Sequence, residues 1–197
     1  MSGKTKKIFL VLLLVVLPLS GVWQTGLGAW IHTKAIIAQT LLETAWTETL
    51  KGQKEVKPWP WADTWPVCRL TVPRLGISRI VLAGASGEAL AFGPGLLLFP
   101  ENPGYSGNTV IAGHRDTHFR FLQKIKTNDL IMLQTGKDSV HLYRVSELLI
   151  INENQVQLLQ QYDDKLLLIT CYPFDAVTPD GPLRYAVIAK RILPLTV

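Results

Sequence analysis

The stretch LLLITCYPFDAVTPDGPLRY, residues 166–185, places a thiol and a guanidinium at the ends of two aliphatic runs. Leu166–Ile169 has the pattern of a buried strand, and Thr170 and Cys171 follow it directly. Prolines and a glycine then mark a loop, and a second run begins at Arg184, 13 residues after Cys171. That distance lets the second strand return beside the first. The stretch therefore predicts two neighbouring strands that carry reactive side chains at one end.

Short β-rich runs separated by Gly, Pro, Asn and Asp continue through the chain after Val67 and predict a mainly β domain, an antiparallel barrel or sandwich. The predicted strands are Cys68–Val72, Ile77–Leu82, Thr109–Ala112, Leu130–Leu133, Val140–Val145, Leu148–Ile151, Leu166–Thr170 and Arg184–Ile192. Short helical patterns lie near Gly87–Ala91, His118–Lys124 and Gln155–Gln161.

The N-terminal region, residues 1–31, contains an uncharged run of 24 residues from Ile8 to Ile31. A helix of about 20 apolar residues crosses a hydrocarbon core of about 30 Å, so the run predicts a single transmembrane anchor. A cleaved signal peptide is the alternative, because residues 18–21 resemble a processing site. Lys4, Lys6 and Lys7 precede the run and predict a cytoplasmic N-terminus with the rest of the chain outside the cytoplasm.

Residues 32–66 form a second predicted region. Apolar residues at spacings of three and four over His32–Lys57 predict an amphipathic helix, either a stalk or a helix packed on the domain. The segment PWPWADTWPV, Pro58–Val67, ends the helix and predicts a linker whose tryptophans pack on the domain. The domain itself is predicted over residues 67–197.

The formal charge of +5 raises the question of an acidic partner. Apart from the N-terminal lysines, the basic residues are scattered among acidic ones and form no stripe. This distribution argues against nucleic acid as a partner.

A cysteine nucleophile needs a basic or positive neighbour, because a thiol with a pKa of about 8.5 is mostly protonated at neutral pH. The run NTVIAGHRDTHF supplies one: the strand Thr109–Ala112 ends at Gly113 and leads into His114. Arg184 could hold a substrate carbonyl or the oxyanion that develops on it. The residues alone leave open that Cys171 is an inert buried cysteine.

Three blocks together resemble the histidine, cysteine and arginine blocks of the sortases, membrane-anchored cysteine transpeptidases of the bacterial cell surface. They are GNTVIAGHRDTHF (107–119), LLLITCYPF (166–174) and GPLRYAVIAKRI (181–192). The resemblance covers residues 58–192. Its first part, PWPWADTWPVCRLTVPRLGI (58–77), is similar to the domain entry of the proteobacterial sortases called class GN.

The resemblance implies a closed eight-stranded β-barrel and three catalytic residues. Cys171 would attack the threonine carbonyl of an LPXTG-like sorting signal and form a thioester. His114 would protonate the leaving amine and later deprotonate the incoming one, while Arg184 would support the oxyanion. The departure from the family is local: the pattern Thr-Leu-X-Thr-Cys often precedes the thiol, and here Leu167 replaces the first threonine.

The resemblance also implies the partners and the location. The substrate would be a protein with a C-terminal LPXTG-like signal, and the acceptor an amine of the cell envelope: thin peptidoglycan, another protein or a lipid-linked amine. The N-terminal helix would contact lipid of the inner membrane, with the catalytic domain in the periplasm. We expect no cofactor.

Three further residues, Thr170, Asp116 and Tyr172, are predicted to contact substrate. Asp116 could instead orient the ring of His114 or cap a short helix that begins near Thr117, and we favour the cap because aspartate is a common N-cap residue.

Metal binding is not expected. His114 and His118 have helical ligand spacing but lack a further ligand block. The acidic residues Glu101, Asp175 and Asp180 are too dispersed to predict a calcium site.

Two cysteines allow a disulfide between Cys68 and Cys171, but the strand pattern places Cys68 in the barrel wall and favours an unpaired structural thiol. Two other function classes stay open. A peptidoglycan L,D-transpeptidase carries glycine directly before its thiol, where this chain has Thr170. A non-catalytic periplasmic binding module would bury Cys171 in its core.

Overall fold

The computed structural model of the chain describes residues 3–98, 107–155, 164–176 and 181–192. The chain divides into two units, residues 1–40 and 41–197. The first unit is helical in its described part and belongs to α1 (Gly3–Leu50), which ends in the second unit. Among the residues that the structure describes, no helix is both long enough and apolar enough to cross a membrane.

In its described residues, the second unit contains eight strands with short helices between them. After α1 the elements are β1 (Pro66–Val72), the 3₁₀ helix Pro73–Leu75, β2 (Ile77–Ala83), α2 (Gly87–Phe92), β3 (Gly95–Leu98), β4 (Thr109–Ala112), the 3₁₀ helix Arg120–Lys124, β5 (Leu130–Gln134), β6 (Val140–Asn152), β7 (Lys165–Cys171) and β8 (Leu183–Ile192).

The strands close into a barrel in the order β1-β2-β3-β4-β7-β8-β6-β5. Neighbours are antiparallel except for two parallel pairs, β2 with β3 and β4 with β7. Side chains alternate between the two faces of each strand, and the alternating burial along β1 shows this directly. The inward-facing set fills the barrel, and its fully buried members include Leu70, Ile111, Leu166 and Leu168. Phe119, from the turn after β4, is buried in the same core.

Eight strands are predicted and eight are found in the described ranges, but two details of the prediction are wrong. The runs Val140–Val145 and Leu148–Ile151 belong to one strand, β6, whose register against β8 shifts between Val145 and Glu147. An irregularity of this kind turns side chains to the other face, so one strand has the pattern of two. The prediction also misses β3, whose four residues carry no alternating pattern.

A close approach of two backbones explains why β3 begins with glycine. A Cβ atom on Gly95 would lie 2.3 Å from the carbonyl oxygen of Gly84, a distance that no side chain could occupy. The sequence GPGLLLFP therefore looks like a loop, although its middle forms a strand of the barrel.

The helix predicted over His32–Lys57 ends earlier than expected, at Leu50. Within the second unit, Leu42 and Trp46 of this helix are buried against Ile80 and Leu82 of β2. The end of the helix therefore covers part of the outer wall of the barrel. Burial of side chains of this size contributes about 1.5–3 kcal/mol each.

The other helical predictions have mixed outcomes. The pattern near Gly87–Ala91 is confirmed as α2, with the Ser86 hydroxyl accepting a hydrogen bond from the Ala89 N–H at 3.1 Å. The helix predicted over His118–Lys124 begins only at Arg120. Most of the pattern predicted over Gln155–Gln161 lies outside the described residues.

Trp59 of the tryptophan-rich linker packs on the domain. Trp59 meets Phe92 edge to face, with ring centroids 4.8 Å apart. Trp61 is 79% exposed and makes no such contribution. The prediction that these tryptophans fix the linker to the domain therefore holds for Trp59 and is wrong for Trp61.

Candidate active site

Three strand ends meet at one edge of the barrel. β4 and β7 are parallel, with Ala112 paired to Ile169, so both chains leave the sheet at the same edge. His114 follows Ala112 by two residues, and Cys171 follows Ile169 by two residues. β8 runs antiparallel to β7 and places Arg184 directly opposite Cys171. The structure thus brings together the three predicted catalytic residues, and all three line one cleft of about 440 Å³.

Cys171 lies on the outer face of the barrel wall. Alternate residues of a strand share a face, so Cys171 continues the row of Leu167 and Ile169. These two residues belong to an apolar cluster that is separate from the barrel interior. Cys171 itself is only partly buried, so its thiol remains accessible from the cleft. Leu90 and Leu97 add apolar walls around it.

Thr170 ties the two parallel strand ends together. Its hydroxyl donates a hydrogen bond of 2.7 Å to the carbonyl oxygen of Gly113, and both groups are buried. The Gly113 N–H in turn donates to the carbonyl oxygen of Ile169 at 3.2 Å. The bonds fix the backbone immediately before His114 and Cys171. The Thr170 hydroxyl therefore already has a partner within the protein. A contact of Thr170 with substrate stays a prediction.

Arg184 is fixed by three hydrogen bonds. Its Nη1 donates to the carbonyl oxygens of Gly181 and Leu183, the latter at 3.0 Å. Its Nη2 donates to Oε2 of Glu153 at 2.6 Å. Glu153 follows β6 and lines the same cleft as Cys171. The guanidinium therefore has a defined orientation in the cleft that Cys171 also lines.

Arg115, the residue after His114, joins the two loops of the site. Its side chain is only 6% exposed. Nη1 donates to the carbonyl oxygen of Pro173 at 2.7 Å and Nη2 to that of Ala176 at 3.0 Å. The loop that follows Cys171 is thus held against the loop that carries His114.

Asp116 is the carboxylate partner of Arg115. Two hydrogen bonds, of 2.8 and 2.9 Å, join the side chains, and they are the main cause that lowers the pKa of Asp116 and raises that of Arg115. The predicted helix cap is wrong, because the short helix begins at Arg120 and its N-cap residue, Phe119, makes no side-chain cap bond. The Asp116 carboxylate accepts hydrogen bonds from the neighbouring Arg115 instead. A substrate contact of Asp116 stays a prediction.

Tyr172 belongs to an aromatic group beside the thiol. Its ring stacks on Tyr185 with centroids 6.1 Å apart and meets Phe174 edge to face at 6.0 Å. Phe174 and Tyr185 also meet edge to face, at 5.2 Å. The three rings support the backbone around Cys171, and a contact of Tyr172 with substrate stays a prediction.

Cys68 is unpaired and completely buried in the barrel, in agreement with the sequence prediction. Burial raises the pKa of its thiol to about 12. A thiol with such a pKa is almost never ionised near neutral pH, so Cys68 is a packing residue. The two cysteines of the chain thus have opposite environments.

The histidine pair considered for zinc does not form a metal site in the described part of the chain. His118 is directed towards the carbonyl oxygen of Ala91, with its Nε2 at 3.3 Å, and burial lowers its pKa. Within the described residues, no group of three or more His, Cys, Asp or Glu side chains could hold a metal ion. Glu101 and Asp180, considered for calcium, lie outside those residues.

Comparison with known proteins identifies the family. Residues 70–192, more than half of the chain, match the family described as the Sortase domain. The chain belongs to the sortase family. The barrel predicted from the resemblance is therefore a sortase-type barrel, and the prediction of an enzyme agrees with the family, whose members are cysteine transpeptidases.

Three relatives show how far the likeness of this sortase-family chain extends. Sortase D of Bacillus subtilis (strain 168) is 28% identical over 125 residues, which are 62% of each chain, so the match spans less than two thirds of that relative. Listeria monocytogenes sortase A is 25% identical, with a TM-score of 0.57 over 65% of this chain and 88% of that one. A Clostridium perfringens sortase D5 transpeptidase shares the fold at 22% identity, with a TM-score of 0.60 over 79% and 98% of the two chains.

Sequence reasoning misses two residues of this sortase-family site, Arg115 and Glu153. No local sequence pattern marks Glu153, because its position depends on the register that pairs Ile151 of β6 with Arg184 of β8. Arg115 has no sequence signal either. A charged residue directly after the candidate base looks exposed in the sequence, and only the packing of the Pro173–Ala176 loop buries it.

Proposed function

We propose that this chain is a sortase-type cysteine transpeptidase that cleaves an LPXTG-like sorting signal after threonine and transfers the protein to an amine. The observation that supports it most is the arrangement at one barrel edge, where Cys171 lies opposite Arg184 and His114 leaves the adjacent parallel strand. Nucleophile, proton carrier and oxyanion donor thus line one cleft.

In the first half-reaction the Cys171 thiolate adds to the threonine carbonyl. The negative charge that develops on the carbonyl oxygen is stabilised by the guanidinium of Arg184. The carbon–nitrogen bond then breaks, the leaving amine takes a proton from His114, and a thioester on Cys171 remains.

The second half-reaction reverses these roles. An incoming amine gives its proton to His114 and attacks the thioester carbon. The carbon–sulfur bond breaks, the thiolate of Cys171 is regenerated, and a new amide is released. Water reacts by the same route, and we expect hydrolysis to be the slower side reaction.

The environment of Cys171 argues against a non-catalytic binding module. Such a protein would bury the cysteine as it buries Cys68, yet Cys171 is partly exposed in a cleft that also contains His114. The L,D-transpeptidase alternative is disfavoured by Thr170, whose side-chain hydroxyl makes a hydrogen bond that glycine could not make.

The proposal includes a place in the cell envelope. The uncharged run Ile8–Ile31 after three lysines supports an anchor in the inner membrane with the catalytic domain in the periplasm. The acceptor is then an envelope amine, and the linker and β1 sequence, residues 58–77, supports a relation to class GN. Protease added to spheroplasts should digest the domain if this location is correct and spare it if the domain is cytoplasmic.

A turnover assay tests the proposed reaction. The full chain is incubated with a library of LPXTG-type peptides and hydroxylamine, and the products are identified by mass spectrometry. We expect a threonine hydroxamate from at least one peptide, its loss in Cys171→Ala, and a large decrease in His114→Ala. Equal product from wild type and Cys171→Ala would contradict the proposal.

A further inference from the structure

A carboxylate holds the guanidinium of Arg184, which lines the same cleft as Cys171. Oε2 of Glu153 accepts a hydrogen bond of 2.6 Å from Nη2 of Arg184, and both side chains line the cleft of Cys171. The backbone of Glu153 is itself fixed, because its N–H donates to the carbonyl oxygen of Pro182 at 2.8 Å. The acidic residue is thus attached to the segment that leads into Arg184.

The hydrogen bonds of Arg184 restrain its two terminal nitrogens in different ways. Nη1 is held by the carbonyl oxygens of Gly181 and Leu183, and Nη2 by Glu153. A guanidinium is planar with five N–H groups, so fixing both nitrogens fixes the directions of the remaining N–H groups. Without Glu153, Nη2 would lose its restraint and the plane could turn about the Nη1 contacts.

We infer that Glu153 is a positioning residue that orients Arg184 towards the oxyanion formed at Cys171, a role that rests on the proposed transpeptidase function. A hydrogen-bond donor stabilises an oxyanion most effectively when it is already oriented before the reaction, because the transition state then requires no reorientation of the donor. Glu153 touches no reacting atom and acts through Arg184.

The solvent exposure of the Arg184–Glu153 ion pair distinguishes a positioning role of Glu153 from a role in stability. Arg184 and Glu153 are 24% and 50% exposed, and ion pairs at such positions contribute little to stability. Another pair, Arg69 with Glu43, has nearly the same exposure, 23% and 54%, and lies outside the cleft residues. Loss of either carboxylate should have a similarly small effect on stability, but only loss of Glu153 should change the chemistry.

The first test measures single-turnover thioester formation by the full chain with its best LPXTG-type peptide. Removing an oxyanion donor costs about 10²–10³-fold, and misorienting one costs a part of that, so Glu153→Ala should lower the rate at saturating peptide about tenfold. The half-saturating peptide concentration should change less than threefold. Glu153→Gln keeps an oxygen acceptor for Nη2 and should recover most of the rate.

Two controls complete the kinetic test. Glu43→Ala should acylate at the wild-type rate, and both alanine variants should melt within about 4 °C of wild type. In an Arg184→Ala background, Glu153→Ala should cause no further loss, because the group through which it acts is absent. A full tenfold loss in that background, or a wild-type rate for Glu153→Ala alone, would overturn the inference.

A second readout does not depend on activity. The order parameter of the Arg184 Nε–H bond, measured by ¹⁵N relaxation, should fall in Glu153→Ala and stay unchanged in Glu43→Ala. An unchanged value in both would overturn the positioning role. If wild type forms no thioester with any peptide while this order parameter falls, the proposed reaction fails and the orientation of Arg184 by Glu153 stands.

Discussion

Replacing Arg115 with alanine should detach the loop that follows Cys171 from the loop that carries His114. The guanidinium is almost completely buried and donates to the carbonyl oxygens of Pro173 and Ala176, at 2.7 and 3.0 Å. Alanine removes both donors and leaves two loop carbonyls without these partners. We expect the loss to appear in stability and in the order of this loop.

The structure gives the magnitude. Hydrogen bonds that involve a charged group contribute about 1.5–3 kcal/mol each, so two of them give at least about 3 kcal/mol. The pair with Asp116 adds little, because that carboxylate is 68% exposed. For a chain of this size, 1 kcal/mol corresponds to about 2–4 °C, so Arg115→Ala should lower Tm by at least about 6 °C.

The assay is thermal denaturation of the full chain, with hydrogen exchange of the amides in the Pro173–Ala176 loop. Asp116→Ala is the matched control: it removes the exposed partner of Arg115 but keeps both bonds to the loop, and Tm should fall by less than about 4 °C. Arg115→Lys keeps the charge but cannot reach all three partners, so its Tm should lie between those of Arg115→Ala and wild type. Equal decreases for Arg115→Ala and Asp116→Ala would refute the reasoning, because they would assign the stability to the exposed ion pair.

Three further predictions concern stability and reactivity. Burial raises the pKa of Cys68 to about 12. Iodoacetamide at pH 8 should therefore modify one thiol, Cys171, in the folded chain and two thiols in guanidinium chloride. Modification of two thiols in the folded chain would contradict the burial of Cys68. Arg74 donates two hydrogen bonds to the carboxylate of the buried Asp129, and these bonds lower the pKa of Asp129. The contribution of Asp129 to folding is therefore present above the ordinary carboxyl pKa of about 3.9 and is lost as pH falls through the depressed value. Asp129→Asn should therefore be less stable than wild type at pH 7, and urea titrations should show this difference shrinking below about pH 4; a constant difference would contradict it. A Cβ on Gly113 would lie 2.8 Å from the buried ring of Phe119. Gly113→Ala should therefore lower the free energy of unfolding by about 1–3 kcal/mol, measured by urea denaturation. An unchanged denaturation midpoint would contradict the close contact.

The strands that can be predicted from sequence are those whose burial follows the local pattern. The five buried residues that precede Cys171 in β7 form a nearly continuous apolar run, as expected for a strand between two neighbours. β6 is mistaken for two strands because its irregularity near Glu147 interrupts the alternation. β3 is missed because it depends on a backbone contact between Gly95 and Gly84, which are 11 residues apart in sequence.

The same distinction applies to the site. Cys171, His114 and Arg184 can be predicted because each stands at the end of a recognisable strand, and the barrel topology brings those ends together. Glu153 and Arg115 cannot be predicted in this way. The role of Glu153 depends on the register of β6 against β8, and that of Arg115 on loop packing, and no local sequence pattern encodes either. The mistaken cap at Asp116 has the same origin: the neighbouring arginine is turned back onto it only in the folded loop.

The most direct test of the central claim is intact mass spectrometry of the full chain after brief incubation with the LPXTG-type peptides and no amine. The account predicts a mass increase equal to the peptide up to and including its threonine. The adduct should be located on Cys171, absent in Cys171→Ala and released by hydroxylamine. A folded chain whose Cys171 can be alkylated, but which gains no such mass with any peptide, would contradict the claim that this edge of the barrel is a transpeptidase site for LPXTG-like signals.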